Sequence, residues 1–293
     1  MIPHIVQEHI SESLEPIIGK PVGKFQLIPV SGGSINLSYQ LLLDSGEHFF
    51  CKINSVKRFP ALFQKEKNGL MLLAAENIIR VPGVILYSIK NDYQVLVLEW
   101  IEQGLPNDDF WKTFGTQLAQ LHRLSSVAFG LNEDNYMGAL PQSNQYTPEW
   151  VDFFIAHRLI PQVKMAMDKR LIDGKVTKLF EGLYTRLQAI FETEAPSLVH
   201  GDLWNGNYMC DTNNKPVLID PAIYFGHRSM DLGMTTLFGG FAKEFYSSYR
   251  ESFPLPKNHE QQWEICNLYP LLIHLNLFGS SYLSGILHTL RHY

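Results

Sequence analysis

The most informative part of the sequence is His200-Gly-Asp-Leu-Trp-Asn-Gly-Asn207, together with Leu218-Ile-Asp-Pro221. It places Asp202 five residues before Asn207 and puts Asp220 after a short apolar run. Carboxylate and amide oxygens are hard ligands of the kind that Mg²⁺ prefers, and a loop aspartate can orient a hydroxyl proton. Each residue alone is also an ordinary loop or turn residue, so the prediction depends on all three at this spacing.

This spacing matches the catalytic loop of protein kinases, and Ile-Asp-Pro stands where those kinases have Asp-Phe-Gly. Asp202 is therefore predicted to position an acceptor hydroxyl. Asn207 and Asp220 are predicted to bind the Mg²⁺ that bridges nucleotide phosphates. The pattern favours ATP-dependent phosphoryl transfer.

Two charged residues upstream are candidates for nucleotide binding. Lys52 lies in the apolar strand pattern 49–53, and a strand lysine can pair with the α- and β-phosphates. Glu66, fourteen residues later on a predicted helix, is the carboxylate expected to hold that lysine. The alternatives are an edge-strand lysine that favours solubility and a glutamate on a solvated charged face.

Weaker signals complete the predicted nucleotide site. Gly32, Gly33 and Ser34 lie between two predicted strands, where glycines let backbone amides approach phosphates. A hairpin turn explains this stretch equally well, and no Gly-Lys-Ser/Thr follows, so it is not a Walker loop. Backbone groups of Glu99 and Ile101, where the last strand of the first domain ends, are predicted to contact adenine.

Hydrophobic periodicity changes near residue 100. Residues 1–100 are expected to form a nucleotide-binding N-lobe with an antiparallel sheet plus helix, and residues 101–293 a larger, mainly helical C-lobe with the catalytic loop and substrate site. The fold class is thus α+β and bilobal. The predicted helices span 4–18, 58–75, 109–124, 148–166, 176–190, 229–238 and 261–290; strands span 25–30, 37–43, 48–53, 84–89, 93–98, 198–200 and 216–219.

Composition excludes several classes of protein. Of 293 residues, 45% are apolar and 18% are charged, so a sizeable core can form. The formal charge of -5 disfavours nucleic acid as a partner. Cys51, Cys210 and Cys266 are scattered, which predicts reduced thiols rather than disulfides or zinc ligands. The polar start is not expected to be a signal peptide, and no apolar run is long enough for a membrane helix, so a cytoplasmic protein is expected.

Over nearly its whole length the sequence resembles the fructosamine (ketoamine) kinase family, within the protein-kinase-like fold shared with aminoglycoside phosphotransferases. The matching segments are GGSIN at 32–36, FCKIN at 50–54, HGDLWNGN at 200–207, IDPAIYFG at 219–226 and LFGGF at 237–241. The resemblance implies ATP and Mg²⁺ as cofactors. It also implies phosphorylation of the sugar 3-hydroxyl of ketoamines, either small molecules or protein-bound, for protein deglycation or small ketoamine metabolism.

The same resemblance implies residue roles. Lys52 would contact the phosphates while Glu66 holds it, and Asp202 would orient the sugar hydroxyl. Trp204 would stack against the sugar, although a packing role explains a tryptophan nearly as well. For Asp231, the resemblance implies structural support of the catalytic loop through His200.

The sequence departs from the family at two places. Ser229 stands where the family commonly has glutamate, which is expected to alter a C-lobe loop or the rim of the substrate site. The glycine-rich loop lacks the cysteine that links some relatives into dimers, so a monomer is favoured and no disulfide switch is predicted.

Two other functions remain open at this point. One is a kinase of another small hydroxyl compound, such as an aminoglycoside, choline or a sugar. An aminoglycoside pocket should be strongly acidic, and no acidic C-terminal cluster is evident. The other is a nucleotide-binding scaffold without activity, which would predict loss of Lys52, Asp202, Asn207 or Asp220, and all four are intact.

Overall fold

The structure, a computed structural model, describes residues 2–30 and 35–293. The chain divides into two compact units, Met1–Leu105 with Met209–Asp220 and Pro106–Tyr208 with Pro221–Tyr293. Residues 209–220 therefore cluster with the first unit, whereas the sequence placed them in the second domain. None of the helices in the described ranges combines the length and apolar composition needed to span a bilayer.

A five-stranded antiparallel sheet forms the body of the first unit, with strand order β1-β2-β3-β5-β4. Lys52 pairs with Ser38 on one side and Leu96 on the other, so it lies on a central strand. The edge-strand explanation of Lys52 is therefore wrong. The strands are β1 (Phe25–Pro29), β2 (Leu37–Leu43), β3 (His48–Ser55), β4 (Val84–Lys90) and β5 (Tyr93–Glu99).

Two helices accompany this sheet. Helix α1 (His4–Ile18) buries Val6, Ile10 and Leu14 against the apolar sheet residues, and it ends where Gly19 takes a left-handed φ of 77°. Helix α2 (Leu62–Glu76) starts beside the buried Gln94. The Gln94 side chain accepts a hydrogen bond from the Phe63 N–H and donates one to the Phe59 carbonyl. The Gln94 amide is buried, and both its oxygen and its nitrogen are hydrogen-bonded. It therefore fixes the start of α2 to β5, the strand that carries Gln94.

A hairpin late in the sequence completes the first unit. Strands β9 (Tyr208–Cys210) and β10 (Pro216–Leu218) pair with each other, and Arg80 forms a parallel bridge with Val217. Gly104 donates its N–H to the Cys210 carbonyl at 2.8 Å. A Cβ at position 104 would clash with the Asp211 backbone, so this approach requires glycine.

The second unit is mainly helical. Its helices are α3 (Asp108–Leu121), α4 (Trp150–Phe154), α5 (Ile160–Asp168), α6 (Gly174–Tyr184), α7 (Leu187–Ile190), α8 (Ser229–Met234), α9 (Lys243–Ser252), α10 (His259–Cys266), α11 (Leu268–Phe278) and α12 (Leu283–His292). Short strands pair as β6 (Asn135–Met137) with β7 (Leu140–Gln142) and β8 (Ser197–Val199) with β11 (Tyr224–Gly226). Helices α3 and α9 approach closely because Gly115 has no Cβ to clash with the Phe245 carbonyl.

A π-helical turn, Ile155–Leu159, connects α4 to α5. It carries Arg158, which is fully buried over the rings of Tyr224, Phe153 and Tyr269. The guanidinium donates to the Ser143 carbonyl and the Asn144 side chain. The aromatic faces and these acceptors together compensate the burial of a cation.

The largest difference from the sequence-based helices lies near the C-terminus. Residues 261–290 were expected to be mainly helical, and the segment contains α10, α11, a 3₁₀ turn (Ser280–Tyr282) and α12. Gly279, with φ of 95°, ends α11 and redirects the chain. The helical pattern 229–238 likewise stops early, at Met234, and the positive φ of Phe238, Gly239 and Gly240 would not allow a helix through residue 238. Helix α9 was not predicted, because its sequence is largely polar.

Candidate active site

One group of candidate site residues is a buried charge cluster in the first unit. Lys52 Nζ lies 2.7 Å from Glu66 Oε1 and 2.6 Å from Asp220 Oδ1. The lysine is only 2% exposed. Burial opposes its charge, but the carboxylates of Asp220 and Glu66 outweigh burial and raise the pKa of Lys52. Burial, only partly offset by the charge of Lys52, raises the pKa of the Glu66 carboxyl. The lysine therefore stays protonated between two acids.

Local structure explains how these three side chains meet. Lys52 projects from central strand β3 and Glu66 from α2. Asp220 follows β10 with a φ of 54°, a left-handed conformation that aspartate tolerates better than most residues. Two carboxylates around one ammonium leave an excess of negative charge. The Asp220 side chain is 43% exposed and uses only Oδ1 for Lys52, so its other oxygen suits a hard cation.

A second group of candidate site residues lies on the loop of the second unit that carries Asp202 and Asn207. Asn207 Nδ2 donates to both the Asp202 carbonyl (2.8 Å) and Asp202 Oδ2 (2.9 Å). These two acceptors identify the amide nitrogen and direct the Asn207 oxygen away from Asp202. Asn207 thereby presents a neutral oxygen of the kind that Mg²⁺ accepts. Backbone bonds from Trp204 to Asp202 and from Asn207 to Trp204 fold the loop tightly.

Asp231, in α8, holds the start of this loop by its backbone. Its two carboxylate oxygens accept the N–H groups of His200 (2.7 Å) and Gly201 (2.8 Å). The expected support of this loop by Asp231 through His200 is therefore present, and it uses the main-chain N–H groups of His200 and Gly201. Gly201 has a φ of 83°, and a Cβ there would clash with the Ala222 carbonyl. Only glycine fits this position without strain.

A buried histidine and tyrosine extend this support. His122 Nε2 lies 3.1 Å from Asp231 Oδ2, and His122 Nδ1 lies 2.8 Å from the Tyr249 hydroxyl. In a neutral ring, this pattern assigns the proton to Nε2, and Tyr249 donates to Nδ1. Burial raises the pKa of Tyr249. The sequence predicted no role for His122 or Tyr249, because a polar residue on an apolar helix face does not indicate which distant residue it will bond.

Trp204 is half-buried within a group of aromatic side chains in the second unit. Its indole covers Gly206 and meets Phe238 edge-to-face at 6.0 Å. Phe238 in turn packs on His274, with ring centroids 4.9 Å apart. The His274 Nδ1–H donates to the Pro270 carbonyl, and burial lowers the pKa of this histidine. Trp204 is thus one end of a partly exposed aromatic surface.

The remaining predicted nucleotide residues are less informative. Gly32, Gly33 and Ser34 lie outside the described residues. Glu99 ends β5, and its carboxylate is engaged by Arg80 at 2.5 Å and by the Gly83 N–H at 3.0 Å. Its side chain is therefore structural. Ile101 is buried. Contact of the Glu99 and Ile101 backbones with adenine stays a prediction.

The departure at Ser229 is accommodated in the protein interior. Ser229 is buried at the start of α8, and its hydroxyl donates to Gln262 Oε1 at 3.1 Å. Gln262 also bonds the Ile190 carbonyl. The residue thus joins α8 to α10.

Comparison with known proteins gives a consistent result. A probable ketoamine kinase of Synechocystis is 38% identical over 281 residues, covering 93% of this chain and 92% of that protein. A chloroplastic protein-ribulosamine 3-kinase of rice is 35% identical over 269 residues, covering 90% of this chain and 77% of that protein. Both alignments extend over most of each sequence.

Solved structures agree. The crystal structure of a Haemophilus somnus protein assigned as a fructosamine-3-kinase superposes with a TM-score of 0.87 at 27% identity, covering 97% of this chain and 96% of that one. The gentamicin-bound aminoglycoside phosphotransferase APH(2")-IIa superposes with a TM-score of 0.62 at 15% identity, covering 99% and 95%, and shows the shared fold. The α+β, protein-kinase-like fold is thereby confirmed. The sequence model of the fructosamine kinases matches residues 6–293, and this chain belongs to the fructosamine kinase family.

Proposed function

We propose that this protein transfers the γ-phosphoryl group of ATP to the 3-hydroxyl of the sugar in a ketoamine, free or protein-bound. The observation that carries the proposal is Lys52, buried and paired with Glu66 and Asp220, in a chain of the fructosamine kinase family. Such a lysine and carboxylate pair is the arrangement that kinases use on nucleotide phosphates.

Each group of candidate site residues has its own part in the proposed reaction. Asp202 orients the sugar hydroxyl and accepts its proton as the oxygen–phosphorus bond forms. The bond between the γ-phosphorus and the bridging oxygen of ADP breaks. Lys52 neutralises charge on the α- and β-phosphates, and Glu66 keeps the lysine in place.

Mg²⁺ fits the residues present, because Asn207 offers an amide oxygen and Asp220 a partly exposed carboxylate oxygen. These two residues would hold the ion. When bound, it would offset the negative charge of the phosphates. The Gly32, Gly33 and Ser34 backbones and those of Glu99 and Ile101 remain the proposed contacts to the rest of the nucleotide.

Trp204 is the proposed sugar contact. Its ring is partly exposed and lies on the catalytic loop two residues after Asp202, which suits stacking on a sugar face. The proposed location is the cytoplasm, in keeping with three cysteines that are buried free thiols.

The test is ADP release with Mg·ATP and a panel of fructosyl-, ribulosyl- and erythrulosyl-lysine. Choline and kanamycin serve as comparators, and Asp202→Asn is the blank. Turnover on ketoamines that is lost in the variant supports the proposal and ranks the sugars. Turnover on choline or kanamycin alone would overturn the substrate class while keeping the kinase reaction.

A further inference from the structure

A separate group of metal-ligating side chains lies on α10 and α12 of the second unit. Glu264 belongs to α10, and His288 and His292 belong to α12. One ligand atom from each residue lies within 4.8 Å of the other two. From this geometry we infer that the protein has a second metal site, which takes a divalent transition-metal ion such as Zn²⁺ and is distinct from the proposed Mg²⁺ residues.

The two histidines share one face of α12 because they are four residues apart. Helix α12 buries Ile286, Thr289 and Leu290, while His288 and His292 are exposed. Their ring centroids are 4.6 Å apart, with ring planes at 85°. A histidine pair at this spacing on a helix is an arrangement that binds zinc in metalloproteases.

Glu264 is oriented toward this pair. His292 Nδ1 lies 3.6 Å from Glu264 Oε1, and the Tyr293 hydroxyl donates to Glu264 Oε2 at 3.0 Å. A hydrogen bond to the outer oxygen of a ligating carboxylate fixes its direction and tunes metal affinity. Tyr293 therefore acts as a positioning residue for the carboxylate ligand.

The ligand set selects the kind of metal. Imidazoles suit Zn²⁺, Ni²⁺ and Cu²⁺, whereas Mg²⁺ and Ca²⁺ prefer all-oxygen sites. Zn²⁺ binds such atoms at about 2.0–2.2 Å, so tetrahedral ligands lie roughly 3.4 Å apart. The present spacing, within 4.8 Å, would have to shorten by up to about 1.4 Å when the ion binds. Three protein ligands leave a fourth position for water on the exposed side of the histidines.

Metal binding there would join the last helix to α10. Helix α10 also packs on α8, where Gly233 approaches the Trp263 backbone closely. The ion would thus stabilise this part of the second unit without touching the residues assigned to phosphoryl transfer. Bound metal is expected to raise the melting temperature, because a ligand that binds only the folded chain stabilises it.

Zinc binding to the untagged, chelator-treated full-length chain tests the site. Isothermal titration with Zn²⁺ alone should show one equivalent in the wild type that the double variant His288→Ala/His292→Ala lacks. Each single histidine variant should weaken that equivalent at least tenfold, and Tyr293→Phe by about tenfold. The metal-dependent rise in melting temperature should disappear in the double variant.

His4→Ala is the matched control. His4 is an exposed helical histidine that contacts Glu8 at 3.2 Å in an i,i+4 pair, but it has no second imidazole in that pair. This variant should bind zinc as the wild type does. Equal stoichiometry and affinity in the wild type and the double variant would overturn the site. So would a wild-type chain that takes up no equivalent beyond the double variant.

Discussion

The Lys52 cluster of the first unit and the Asp231 network of the second both bury carboxylates, but they use them differently. Lys52 is shared between Glu66 and Asp220, and Asp220 remains 43% exposed. Asp231 is completely buried and accepts two backbone N–H groups and His122. Ion pairs at a partly exposed site can exchange partners when phosphates and a cation arrive. Hydrogen bonds to buried backbone groups have no such alternative partners. The Lys52 cluster is therefore suited to binding ligands, and the Asp231 network to keeping the loop in one shape.

The largest effect is expected from the loop that Asp231 holds in place. Asp202→Asn removes the proposed proton acceptor and should lower kcat by about 10²–10⁴-fold with little change in ATP binding. Steady-state kinetics together with ATP titration separates the two quantities. Asp168→Asn, which changes an exposed carboxylate on α5, serves as the control. An Asp202→Asn enzyme within threefold of wild type would contradict the role of Asp202.

Asp231→Asn should mainly destabilise the fold. The amide cannot accept two backbone N–H groups and the His122 proton equally, so buried donors lose partners. The free energy of unfolding should fall by about 3 kcal/mol, as measured by urea denaturation. A loss below about 1 kcal/mol would show that the loop does not depend on Asp231.

Acid should destabilise the second unit through His227. Burial lowers the pKa of His227 to about 4, and its Nδ1 accepts the Ser229 N–H, which protonation would break. Between pH 6.5 and 5 the unfolded chain binds a proton that the native chain does not. Stability is therefore fully present above pH 6.5 and should fall by about 2 kcal/mol by pH 5.

Chemical denaturation across this pH range in the wild type and in His227→Gln checks the prediction. The variant should lose most of the slope, although it will also be less stable at pH 7. Glu194 and Arg228 provide the charges next to His227, and the pKa of Glu194 is lowered, despite its burial, by its bond to Arg228. Protonation of Glu194 should therefore affect stability only at a lower pH than protonation of His227 does. An unchanged slope in the variant would assign the acid sensitivity to another group.

Glu66→Gln should affect ATP more than folding. The change leaves Lys52 paired with Asp220, so the lysine loses one of two anchors. We expect kcat/KM for ATP to fall about tenfold, which corresponds to roughly 1.4 kcal/mol. Glu76→Gln, at the exposed end of the same helix, is the control. If Glu66→Gln lowered the free energy of unfolding more than Asp231→Asn does, the Lys52 cluster, and not the Asp231 network, would be the more important for stability.

The smallest effect is expected at the end of the buried network. Tyr249→Phe removes the hydroxyl that donates to His122 and should cost about 1 kcal/mol of unfolding free energy. Activity should stay close to wild type, because Asp231 still binds the loop. Thermal and urea denaturation measure the cost. A large loss of kcat with normal stability would instead place Tyr249 in the reaction.

The charge cluster was more predictable from sequence than the network. Lys52, Glu66 and Asp220 each lie in a short motif whose chemistry restricts residue type. His122 and Tyr249 are 127 residues apart, and only the packing of α3 on α9 brings them together. Residues 209–220 belong to the first unit because of contacts such as the hydrogen bond between Gly104 N–H and the Cys210 carbonyl. No short sequence pattern predicts such a contact.

Helix ends show the same limit. Gly279 is a visible stop signal, yet the break between α10 and α11 falls at Asn267, which keeps helical dihedrals. Apolar periodicity alone cannot detect a change in direction of that kind. The five strands of the first unit were recovered because alternation and turn residues mark their ends locally.

Gly201 carries a consequence for control of the enzyme. Many protein kinases have arginine at the corresponding position of the H-R-D sequence, and their activation loops are switched by phosphorylation. Here the Ala222 carbonyl occupies the space where any side chain would begin. The catalytic loop therefore has no cationic side chain at this position to receive a regulatory phosphate. The shape of the loop at Gly201 is set at folding by its close backbone contacts with Asp231 and Ala222.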